Sequence, residues 1–88
     1  MAELDSVIEY PLDFPVKIMG LNQPAFVPTM LALVRQHDAG FDAGTLESRP
    51  SREGKYLSLT VTIRAVSREQ LDALYQALSD HPMVVMAL

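Results

Sequence analysis

Cysteine is absent from this 88-residue chain, which excludes disulfides, thiolate nucleophiles and cysteine-ligated zinc or iron–sulfur centres. A basic excess is missing as well. Seven Lys and Arg face eleven Asp and Glu, for a net charge of −4. Binding to nucleic acid or to an anionic membrane surface draws on clustered cations, so this balance opposes both. No apolar run approaches bilayer-spanning length, and Met1-Ala2-Glu3-Leu4-Asp5-Ser6 carries acids where a secretory signal is basic. The expected location is therefore the cytoplasm. Histidine is scarce: His37 and His81 stand far apart, beside Asp38 and Asp80, with no third ligand at metal-site spacing. They read as helix-end residues, and neither a metal nor any other cofactor is expected.

What is present is apolar material, 49% of the chain, enough for one small core. The clearest pattern lies between Gly54 and Ala65. Leu57, Leu59, Val61, Ile63 and Ala65 alternate with Tyr56, Ser58, Thr60, Thr62 and Arg64. Period two on a strand gives one dry face and one wet face. A capping box follows, Ser67 with Gln70, flanked by Val66 and Leu71 at the positions of a hydrophobic staple. Leu71, Leu74, Tyr75 and Leu78 form the stripe of the helix this box starts, which Pro82 ends. Met83 to Leu88 is the last strand, apolar on both faces and so suited to a sheet edge: Val84, Met86 and Leu88 share one face, Met83, Val85 and Ala87 the other.

The first half is built similarly. Residues 1–13, with Pro11 and little periodicity, form an N-terminal arm, and residues 14–88 form the single domain. Pro15 opens an edge-like strand from Phe14 to Met19, ended by Gly20. Phe26, Met30, Leu33, Val34 and His37 share one face of a helix over about Pro24 to Asp38, capped by Asn22. Pro28 requires that its first turn be irregular. Ala39 to Gly44 is a loop, Thr45 to Arg49 a short strand, and Pro50-Ser51-Arg52-Glu53-Gly54 a turn into the long strand. The order strand, helix, strand, strand, helix, strand is the α+β, ferredoxin-like βαββαβ pattern: a four-stranded antiparallel sheet with two helices on one face.

This fold hosts several chemistries, and the residues can be tested against each. An RNA-recognition module stacks bases on two or three sheet aromatics. Here Tyr56 stands alone on the wet face, with Ser58 in the neighbouring position and Lys17 and Met19 on the first strand. A phosphatase of this shape needs an Arg in the loop after the first strand, and Gly20-Leu21-Asn22-Gln23 has none. Neither RNA binding nor catalysis is expected. Two binding readings remain. In one, the open sheet face and last strand, through Lys17, Met19, Tyr56, Ser58, Thr60, Met83 and Val85, meet a protein partner or a second copy. In the other, Gly20, Asn22, Gln23, Pro24 and Ala25 form a loop that receives an amino acid or carboxylate effector, as in ACT regulatory domains.

Glu9-Tyr10-Pro11, Phe14, Lys17, Met19-Gly20, His37, Ser51, Gly54, Tyr56 and Ser58 together resemble the YbeD-like family of small uncharacterised bacterial proteins. The resemblance implies a ferredoxin-like, ACT-similar fold and no established activity. Its genes often neighbour lipoate-attachment genes, which is an association without a mechanism.

Overall fold

The computed structural model describes residues 9–88. Much of the expected arm, residues 1–8, lies outside them. Four strands and two helices run in the order β1 (Leu12–Leu21), α1 (Phe26–His37), β2 (Glu47–Pro50), β3 (Tyr56–Ala65), α2 (Arg68–Asp80) and β4 (Val84–Ala87). The sheet order is β2-β3-β1-β4, with every neighbouring pair antiparallel. This is the expected ferredoxin-like architecture.

The period-two pattern puts Leu59, Val61, Ile63 and Ala65 of β3 and Val16 and Ile18 of β1 into the core. Phe26, Met30, Leu33 and Val34 of α1 and Leu71, Leu74 and Leu78 of α2 close over them. Each fully buried side chain of this kind contributes roughly 1.5–3 kcal/mol. Leu57 is only half-buried near the end of the sheet. Phe41, inside the segment expected to be a plain loop, is 6% exposed and joins the core.

β1 begins two residues before Phe14 and ends two after Met19, so Pro15 lies within it. The pairing with β4 explains the tolerance. Lys17 N–H donates to the Leu88 carbonyl at 2.9 Å, and Leu88 N–H returns the bond at 2.8 Å. Along a strand, every second amide faces the same edge, so the donor missing at Pro15 would point past the end of that pairing.

Two local expectations need correction. Asn22 does not cap α1: the N-cap is Ala25, with no side-chain bond. Asn22 instead donates its side-chain N–H to the Gly54 carbonyl at 3.1 Å and its backbone N–H to the Lys55 carbonyl at 2.9 Å. The β1–α1 loop is thereby tied to the β2–β3 turn. Pro28 is then the third helical residue, where a backbone donor would have no intrahelical partner, so its ring removes nothing the helix uses. The second correction concerns α2. Val66 is 58% exposed, which leaves the outer arm of the expected staple in solvent, although Leu71 is buried.

The capping box itself forms and does more than cap. Ser67 Oγ accepts from Gln70 N–H at 3.1 Å. The Gln70 side chain accepts from Val66 N–H at 2.6 Å, one residue before the amide a capping box ordinarily reaches. Its Nε2 donates to the His37 carbonyl at 2.8 Å and to the Arg64 carbonyl at 3.1 Å. One amide thus joins the end of α1, the end of β3 and the start of α2.

Candidate functional site

The helices cover one face of the sheet and leave the other open. Antiparallel partners point to the same side, so the register reads out the open face directly. One row runs Glu47, Thr60, Lys17 across β2, β3 and β1; the next runs Arg49, Ser58, Met19 and continues to Met86 of β4. Leu21 stands opposite Tyr56 in the row beyond. Lys17 is exposed, while Met19, Tyr56, Ser58 and Thr60 are half-exposed. Of the residues expected to form a partner surface, the fold therefore brings these five together.

Val85 joins them by a route the alternation did not contain. The register between β1 and β4 shifts after Met19, with Met19 opposite Met86 but Gly20 opposite Val84. The extra residue breaks the period-two reading of this strand. Val85 and Met86 are both exposed, at 59% and 46%, while Val84 and Ala87 are half-buried against the core. Met83 departs from the expectation: it packs against the core cluster, because the turn after α2 carries it there before β4 begins.

Arg49 was not among the expected site residues. It lines a shallow concavity of about 250 Å³ with Lys17, Glu47, Ser48, Ser58 and Thr60. A second concavity of about 250 Å³ adjoins it, where Met19, Tyr56 and Pro50 add apolar walls. Neither Lys17 nor Arg49 has an ion-pair partner among the described residues. The Lys55 ammonium sits 5.5 Å from the centre of the Tyr56 ring and adds a third cation beside this face. A sequence signal for Arg49 existed in its spacing from the β2–β3 turn, which predicts its pairing with Ser58, but only if the start of β2 is known.

The β1–α1 loop is put to structural use. Gly20 is buried, and a Cβ there would run into the Phe26 ring and the Met83 carbonyl oxygen. At the start of α1, Phe26 N–H already donates to the Gln23 carbonyl at 3.0 Å, and Pro28 has no donor to offer. Asn22 is engaged with the hairpin turn, and Pro24 and Ala25 lead into the helix.

His81 also serves local structure. His81 Nδ1 accepts from Met83 N–H at 3.1 Å in the turn after α2. A wider groove of about 520 Å³, lined by Pro28, Thr29, Ala32, Leu33, Gln36 and His81, runs along α1 and offers that ring as its one titratable group. Among the described residues, no three His, Asp or Glu side chains gather as a metal site would require. No helix among them is long and apolar enough to cross a membrane.

Residues 5–88 match the family model described as a protein of unknown function, DUF493. A UPF0250 protein of Janthinobacterium sp. (strain Marseille) is 60% identical over 91 residues, covering 100% of both chains. A second, from Nitrosomonas europaea, is 60% identical over 84 residues, covering 96% of this chain and 97% of its own. Among solved structures, the solution structure of protein HP0495 from H. pylori superposes with a TM-score of 0.76 at 20% identity, covering 93% of this chain and 86% of that one. That likeness concerns the fold. These matches agree with the YbeD-like resemblance, which spans about residues 7–88.

Proposed function

The chain belongs to the DUF493 family of proteins of unknown function, and from that premise we propose that it is a non-catalytic module that binds a protein partner through its open sheet face and the adjoining strand β4. One observation carries this reading. Leu21, Val85, Met86 and Leu88 are exposed by 45%, 59%, 46% and 67%, and all four lie at the β1–β4 side of the sheet. Met19 extends the patch inward beside Met86. An apolar cluster on an otherwise wet sheet face is the feature that partner surfaces show and ordinary solvated faces do not.

The two sheet edges support the same conclusion by contrast. β2 carries Glu47, Arg49 and Pro50, residues that blunt an edge against unwanted pairing. β4 carries Val84-Val85-Met86-Ala87, with no charge and no proline. Methionine, with its unbranched side chain, adapts its shape to a partner, and tyrosine offers a flat ring with a hydrogen-bonding hydroxyl; both are on this face.

Photo-crosslinking tests the reading. A benzophenone side chain placed at Met19 or Val85, and as a control at Gln36 or Gln76 on the helices, is irradiated in cell extract. The expected result is a discrete protein adduct from the sheet positions that disappears with Met86→Asp. Adducts from the helical positions alone would remove the reading. Light scattering of the purified chain separates self-association from a different partner.

A further inference from the structure

We infer that the segment filling the open face is an acidic amphipathic one, presenting carboxylates to Lys17 and Arg49 and apolar side chains to Met19, Met86 and Leu88. The inference rests on the interaction surface proposed above and names the chemistry of its partner.

The charge distribution motivates it. Lys17 and Arg49 project from the open face, and Arg52 and Lys55 lie in the turn at its end. Glu47 and Glu53 are the acids on β2 and in that turn. The rest of the chain holds three cations against nine acids. A chain of net charge −4 therefore concentrates its positive charge at the place where its sheet is uncovered. Of the three other basic side chains, Arg64 pairs with Asp13 at 3.3 Å and Arg68 with Asp72 at 3.6 Å, and Arg35 lies on α1, away from the open face.

Spacing supports one incoming strand. Lys17 and Arg49 flank β3 from either side in adjacent rows, about 12 Å apart once two strand spacings and a two-residue step along the strand are combined. Ser58 and Thr60 lie between them with hydroxyls that donate to a carboxylate oxygen. The apolar half of the face continues without a break from Met19 to Met86. Exposed ion pairs contribute little to affinity, so the apolar half supplies binding and the cations select the partner and speed its approach. The phosphates of a nucleic acid would meet the same cations, but Tyr56 is the one aromatic ring among the described residues of the face for its bases.

The test uses the full chain, isotope-labelled for amide NMR, and three short synthetic peptides in which Leu and Val alternate with Glu, with Lys or with Ser. A single-stranded oligothymidine is the fourth probe. The Glu peptide should shift the amides of Met19, Arg49, Ser58 and Thr60 and bind at least about tenfold tighter than the Lys peptide, with the margin narrowing as salt rises. The double variant Lys17→Glu, Arg49→Glu should erase that margin, whereas Met86→Asp should weaken the Glu and Ser peptides alike. Amide dispersion confirms that each variant is folded. Equal binding of the Glu and Ser peptides would overturn the acidic selectivity and leave the open-face reading standing. Tighter binding of the oligonucleotide would overturn the choice of partner class. Absence of any shift on the open face with all three peptides would overturn both.

Discussion

Replacing Gly20 with alanine adds one carbon atom where β1 leaves the sheet for α1. The backbone there is not left-handed; among the described residues only Gly54 has a positive φ. The cost at Gly20 is one of space. A Cβ would strike the Phe26 ring, with Phe26 Cζ at 2.7 Å, and would also meet the Met83 carbonyl oxygen. Phe26 is fully buried and cannot swing into solvent, and the carbonyl belongs to the chain entering β4. Overpacking of a tight site costs about 1–3 kcal/mol, and two immobile neighbours place Gly20→Ala near the upper end. A domain of this size is stable by only about 4–13 kcal/mol, so the loss is large. It corresponds to a fall in Tm of about 12–24 °C. Gly54 supplies the control. Its φ is +78° and nothing lies within 4 Å of an added Cβ, so its cost is conformational alone, about 1–2 kcal/mol for alanine. Asparagine tolerates that conformation and should recover much of the loss at Gly54, while at Gly20 it should be worse than alanine. Urea denaturation of the four variants separates the two causes. A Gly20→Ala protein within 0.5 kcal/mol of the parent (about the ordinary surface-substitution range) would refute the packing argument.

Two further outcomes follow from single side chains. Gln70→Ala removes three hydrogen bonds, two of them at exposed sites where water substitutes, and should cost about 2 kcal/mol. Gln70→Glu keeps the acceptor for Val66 N–H but sets a carboxylate against the His37 and Arg64 carbonyls. It should be no more stable than the alanine variant at neutral pH and should recover on acidification, when the protonated acid donates again; equal stability to the parent at neutral pH would refute this. Burial raises the Tyr75 hydroxyl above its ordinary value of 10.0. The fold then holds the proton that the unfolded chain releases, so this stability is complete below about pH 10 and is lost as pH rises beyond it. Tyr75→Phe should match the parent near neutrality and lose less stability in strong alkali, and parallel curves from thermal melts would contradict the assignment.

The legible part of the fold was the part written in short-range periodicity. The alternation from Leu57 to Ala65 fixed which face of β3 is dry, and the spacing from Phe26 to Val34 fixed the buried side of α1. Of the site, Lys17, Met19, Tyr56, Ser58 and Thr60 were visible for the same reason. Arg49 was not, because its place depends on pairing with Ser58 across a turn. Met83 escapes the alternation as well, because the turn that precedes β4 interrupts the period of two and packs it against the core.

Element order, handed crossovers and the capping box are properties of near neighbours along the chain, and sequence alone determined them. The tertiary structure decided everything that joins distant residues. It assigned Gly20 to making room for Phe26 and Met83, Asn22 to a bond with Gly54, and Gln70 to holding the end of α1. It also set the shift in register that exposes Val85 and Met86 together. The physical reason is common to all of these. Local preference specifies how each segment is shaped, whereas the partners of a side chain across the sheet are set only when packing fixes the register of one strand against another.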